Sequence, residues 1–160
     1  MGYWEKPNKF KVRNFMEIPM GNHRVKITDV RVENFTKTKK KCFELSLEVS
    51  GYPGRLWYHL WYSPSNKDRT NADFYAFFNG FQIEEENRTL RRYKKWVGRT
   101  GAVSVWHEHG PTKYLAEDEY EAMVSHILSV KERDKLPLWS DIPTVRAERL
   151  KSVSSELPFF

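Results

Sequence analysis

Residues 56–62 read LWYHLWY, five rings in seven positions when the imidazole is counted. In an extended strand successive side chains point to opposite faces, so Trp57, His59 and Trp61 share one face and Leu56, Tyr58, Leu60 and Tyr62 the other. The leucines mark the even-numbered face as the inward one. Two tryptophans with a histidine between them then stand outside, and flat rings in that setting suit stacking against other flat rings. Stacking on nucleobases is worth about 1–3 kcal/mol per base. The competing reading of the same rings is burial beneath a helix or a tail.

Stacking would need something to hold a phosphate backbone, and two cationic segments offer it. The first contains Lys37, Lys39, Lys40 and Lys41 in TKTKKK; the second carries Arg88, Arg91, Arg92, Lys95 and Arg99 in RTLRRYKKWVGR. Residues 1–41 hold eleven Lys and Arg against four acids, and residues 88–113 hold seven against one, whereas the intervening and final stretches are net acidic. If the two basic segments meet beside the ring strand they form a stripe for phosphate contacts; taken singly, each reads as solubilising charge. Trp96, inside the second segment, is either a further stacking ring or a core ring. His107 and His109 in HEH fall on one side of a strand with Glu108 on the other, the beginning of a metal site for a nuclease, but no third ligand follows at a usable spacing. There is no Gly-rich phosphate loop, nucleophile elbow or nuclease-type acid cluster, so the expectation is a non-enzymatic protein with no cofactor and no metal.

The elements that must position these groups can be read from periodicity. HRVKITDVRVENF (23–35) alternates as a strand, with a phase change near Asp29–Val30 that suits a bulge. CFELSLEVS (42–50) alternates with Phe43, Leu45, Leu47 and Val49 inward and Glu44, Ser46 and Glu48 outward, and GYPG turns the chain into the ring strand at 55–63. Phe74, Phe77, Phe78 and Phe81 then fall at helical spacing, with Asn71 or a neighbour as N-cap. A second helix over 88–99 would set Leu90, Tyr93 and Val97 against its arginines and lysines, with Gly98 as its cap. GAVSVWHEHG (101–110) returns to alternation, Val103 and Val105 opposite Ser104 and Trp106. Residues 117–133 have helical spacing at Tyr120, Met123, Val124, Ile127 and Leu128, yet MVSHILSV is also a credible strand. Three strands, a helix, a strand and then a fifth strand is the connectivity of the OB-fold, a small five-stranded β-barrel whose strands 2 and 3 bind oligonucleotides.

The chain is 160 residues long with net charge +6, 39% apolar and 15% aromatic residues. Its size suits one domain with appendages: an arm at 1–20, an OB-fold domain at 21–131 and an extended tail at 132–160, where three prolines and scattered charge interrupt any pattern. No apolar run approaches the roughly 20 residues of a membrane span, and MGYWEKPNKF has no signal-peptide character, so the expected location is cytoplasmic, with no membrane partner. A single cysteine, Cys42, fits a reducing compartment and reads as a small strand residue.

The segments IPMGNHRVKITDVRVEN, GRLWYHLWY, the phenylalanine-rich helix and WVGRTGAVSVWHE resemble a phage and prophage family of single-stranded-DNA-binding proteins long catalogued as a domain of unknown function. The resemblance covers about residues 17–135. It implies an OB-fold, a strand rather than a helix at 123–130, and single-stranded DNA binding with little sequence preference in replication or recombination inside a bacterial host cell. The closing SSELPFF resembles the tail tip of bacterial single-stranded-DNA-binding proteins, which implies that Leu157, Pro158, Phe159 and Phe160 dock on replication or recombination proteins. A homo-oligomer stays open, and a protein-interaction module using the ring strand is the alternative to DNA binding.

Overall fold

The computed structural model describes residues 18–140. β1 (Gly21–Phe35), β2 (Lys40–Val49) and β3 (Tyr52–Tyr62) form a meander, followed by α1 (Lys67–Gly80), 3-10 turns at Glu85–Asn87 and Leu90–Trp96, β4 (Thr100–His109), β5 (Tyr120–Ile127) and the short α2 (Val130–Asp134). All neighbours in the sheet are antiparallel, in the order β3-β2-β1-β4-β5. The fold is mainly β with α. The expected closure into a barrel is not found: β3 and β5 approach each other, but no ladder joins these two edges. The last turn of α1 packs against β5 instead, with so little room that a Cβ at Gly80 would stand 2.6 Å from Ile127 Cγ2 and 2.9 Å from Leu128 O.

β1 is the strand on which everything else is hung. It pairs with β2 from Val25 to Phe35, and the register slips between Ile27 and Asp29, the expected bulge. Before the bulge Val25 and Ile27 face inward; after it Val30 and Val32 do, so one extra residue lets a single strand keep an apolar face through a bend. On its other side only Gly21–Lys26 of β1 pairs with β4. Beyond that the chain after the second 3-10 turn takes over, as Gly98 N donates to Ile27 O at 2.7 Å and Ile27 N donates to Arg99 O at 3.0 Å.

The inward face matches the alternation read from sequence. Phe43, Leu45, Leu47, Val49, Leu56 and Leu60 are buried, and α1 lays Phe74, Phe77 and Phe81 over them. The helix starts earlier than expected: Asn66, not Asn71, is the N-cap, its side chain accepting from Arg69 N at 3.2 Å. Thr70 Oγ1 ties that first turn back to Ser63, donating to its carbonyl and accepting from its amide, which is why the polar stretch 63–71 is not all loop.

Residues 88–99 do not form the expected α-helix. They make a 3-10 turn, kinked at Arg92, in which Val97 is exposed and extended. At about 3.0 residues per turn the residues that align are i, i+3 and i+6, so Leu90, Tyr93 and Trp96 point at the core and Val97 does not. Residues 120–127 are a strand, against their helical spacing; the family resemblance implied one at 123–130, but the strand ends at Ile127 and Val130 already begins α2. The segment read as tail begins inside α2. After α2 the chain crosses β1, with Pro137 O and Leu136 O accepting from Arg24, and reaches the β2–β3 turn, where Gly51 N donates to Ser140 O. No helix among the described residues is long and apolar enough to cross a membrane.

Candidate nucleic-acid interface

Cross-strand register fixes which side chains share the outer face of the meander. Three rows run across β1, β2 and β3: Asp29–Ser46–Trp57, Arg31–Glu44–His59 and Glu33–Cys42–Trp61. A fourth pair, Phe35 and Lys40, closes the end nearest the β1–β2 turn. Trp57, His59 and Trp61 therefore stand in a column along β3, as the leucine argument required, with Leu56 and Leu60 buried behind them. Trp61 is 40% exposed and Trp57 and His59 are half-buried. Successive members of such a column are about 6.6–6.8 Å apart, two strand rises.

The Phe35 ring extends the column sideways, its centroid 5.6 Å from that of Trp61 with the planes tilted by 34°. Beneath this pair Cys42 is fully buried. Burial, and then the nearby Glu44 and Glu33 carboxylates, push its thiol up to about 12, so it is inert filling, as its small size suggested. On the opposite face burial likewise pushes the Tyr58 hydroxyl up to about 12, with Asp73 of α1 adding to the effect.

The middle row contains a buried carboxylate. Glu44 is 3% exposed, and both of its oxygens are bonded: Oε1 accepts from Arg31 Nη2 and Oε2 lies 3.0 Å from His59 Nε2. A carboxylate taken out of water costs several kcal/mol unless it is paired in this way. Sequence reading had Glu44 pointing outward, which it does, but missed that its neighbours close over it. It also missed Arg31, Phe35 and Arg55, the last of which donates to Thr28 Oγ1 at 2.7 Å on the same face. The signal was present for Arg31: counting from the phase change at Asp29–Val30 puts it on the face of Glu44, but only the hairpin register brings the two opposite each other.

The cationic segments fare differently. The turn between β1 and β2 is only residues 36–39, so Lys37 and Lys39 are exposed in it, Lys39 with φ of 59°, while Lys40 and Lys41 belong to β2 rather than to a loop. Lys40 lies on the outer face with Phe35; Lys41 is opposite Tyr62, on the inward side. The second segment is anchored on that inward side, where Tyr93 and Trp96 pack on Phe43 with centroids 5.9 and 5.5 Å away. Its anchoring rings are thus on the sheet face opposite Trp57, His59 and Trp61, contrary to the expectation of one stripe beside the ring strand.

Within that segment the side chains divide by task. Trp96 is a core ring, fully buried, its Nε1 donating to Asn87 O at 2.8 Å; as a stacking residue it is corrected. Arg88 donates to Ile83 O and Asn79 Oδ1 and lies over the Phe78 ring. Arg99 donates to Gln82 O and pairs with Glu84 at 3.3 Å. Both therefore brace the chain after α1. Arg91, Arg92 and Lys95 are exposed. His107 and His109 do share a side, both against the Tyr120 ring, and His107 Nε2 is 2.7 Å from Ile18 O. Among the described residues no three His, Cys, Asp or Glu side chains gather into a metal site. Leu157, Pro158, Phe159 and Phe160 lie outside the described residues. No model of a known protein family matches the sequence, and no curated protein matches it either.

Proposed function

We propose that the protein binds single-stranded DNA, with little sequence preference, on the outer face of β1, β2 and β3, and that its fold is a partly open OB-fold. The strand order, with edges at β3 and β5, suits an OB sheet left unsealed between those strands. The observation that carries the reading is the column Trp57–His59–Trp61, on the strand 2 and 3 face that such folds use. Its spacing of about 6.6–6.8 Å is about twice the 3.4 Å rise per nucleotide within a duplex strand. An unstacked strand can set successive bases on successive rings; a duplex cannot. Every base has a π-face, so this mode is tolerant of sequence.

In this reading Lys37, Lys39 and Lys40 hold the backbone at one end of the column, the protein is not an enzyme, and its setting is phage-type replication or recombination in a bacterial cytoplasm, as the sequence resemblance implies. The test is titration of an oligo(dT) and a duplex of equal length at two salt concentrations. Single strands win, and affinity falls with salt by about 0.7 logarithmic units per decade for each phosphate contact. Equal affinity for duplex reduces the protein to a general cation; no binding at low salt turns the ring face over to a protein partner.

A further inference from the structure

Arg31 and Glu44 form an arrangement that phosphate binding alone does not require. A binding face for an anion gains nothing from a carboxylate at its centre, yet Glu44 is buried there, between Arg31 on one strand and His59 on the other. The Arg31 side chain is 54% exposed, and only its Nη2 is used, on Glu44 Oε1. Its Nε and Nη1 have no partner among the described residues. A guanidinium presents donors in a rigid fork, so pinning one corner against a buried acceptor fixes the direction of the remainder. Glu44 is itself held on its other side by His59 Nε2, so it cannot follow Arg31 if that side chain swings away.

We infer that Arg31 is a phosphate-contacting residue of this face and that Glu44 is the residue that positions it, on the reading above that the ligand is single-stranded DNA. Bases lie along β3 and the sugar-phosphate chain runs over β1, two strand spacings or about 9.6 Å away. A free Arg31 donor takes one phosphate in a charge-assisted hydrogen bond while Nη2 stays on Glu44, a division of donors that the single nitrogen of lysine does not reproduce. The carboxylate lowers the raw attraction for the strand and gives in exchange a donor already aimed before the strand arrives, which removes the ordering cost of a long side chain.

The sign of one substitution separates this from plain charge counting. Removing a negative charge from a DNA-binding face raises affinity by charge alone; removing a positioning group lowers it. Fluorescence titrations with labelled oligo(dT) would compare the wild type with Arg31→Ala, Arg31→Lys, Glu44→Gln and the double variant, each checked by its unfolding midpoint. Arg31→Ala binds about tenfold more weakly, as expected for one charge-assisted contact, with the salt slope smaller by about 0.7, and Arg31→Lys restores the slope but not the affinity. Glu44→Gln weakens binding in the wild-type background but does not weaken it when Arg31 is already alanine, where only the charge effect is left, and a general loss of structure would weaken both. Tighter binding by Glu44→Gln, or undiminished binding by Arg31→Ala in a wild type that does bind oligo(dT), overturns the inference alone. Failure of the wild type to bind overturns the DNA reading and this with it.

Discussion

The two faces of the β1–β3 meander are both built from rings, and they use them in opposite ways. On the inward face Phe43, Phe74, Phe77 and Trp96 pack edge to face or tilted, with centroids 5.1–5.9 Å apart, and every ring finds its partners within the chain. On the outer face Trp57, His59 and Trp61 are spaced by the strand itself, too far apart to stack on one another; Trp61 has the Phe35 ring at its side and His59 is tied to Glu44. Composition does not distinguish the two. Position does: one residue along β3 separates Leu60, buried at 1%, from Trp61.

The contrast breaks most visibly at its tryptophans. Trp96→Ala empties a filled site and orphans Asn87 O, so it should cost about 3–5 kcal/mol of stability in urea unfolding, with oligo(dT) affinity of the folded fraction retained. Trp57→Ala and Trp61→Ala should do the reverse, costing about 1–3 kcal/mol of binding each while the melting temperature hardly moves. If Trp61→Ala unfolds the protein, the outer face is core and the comparison fails. The cations sharpen the point at smaller scale. Arg88→Ala should remove about 1–2 kcal/mol of stability, through its lost hydrogen bonds to Ile83 O and Asn79, with an unchanged salt slope. Lys39→Ala with Lys40→Ala should leave the melting temperature alone and flatten that slope by about 1.4, two contacts at 0.7 each.

The smallest effect tests the floor beneath Trp61 and Phe35. Because burial raises the Cys42 thiol to about 12, the unfolded chain releases that proton first as pH rises past the ordinary thiol range. The folded state then binds more protons, so stability falls across the window from there up to about 12. A thiol reagent near pH 8.5 should accordingly react with Cys42 only at the rate of opening, and Trp61→Ala should speed it. Rapid labelling of the intact wild type would show that the floor is open.

Where sequence failed, it failed for reasons of environment. β2 was legible because one of its faces is apolar throughout, from Phe43 to Val49. β5 was not, because most of its residues are half-buried on both sides, which removes the alternation that marks a strand and leaves an accidental helical spacing; the family resemblance implied a strand here but set it three residues too far along. At residues 88–99 the error was one of period, since 3.6 residues per turn put Val97 in the core and 3.0 puts Trp96 there. The ring column was legible from the leucines between its members. Arg31 was not, because its meaning depends on a partner thirteen residues away, and the length of the intervening turn could not be fixed from a run of lysines.

The crossing of the chain from α2 to the β2–β3 turn has a kinetic side. Ser140 N donates to Ser50 Oγ across ninety residues, and that clasp can close only after the sheet beneath it exists. Two adjacent amides record the difference: Ser50 N–H is held by Arg24 O within the sheet region, whereas Gly51 N–H is held by Ser140 O. In hydrogen exchange, opening of a lightly held segment is cheaper than opening of a central strand. The Gly51 proton therefore times the clasp and its neighbour times the sheet, so that one peptide unit separates a faster clock from a slower one.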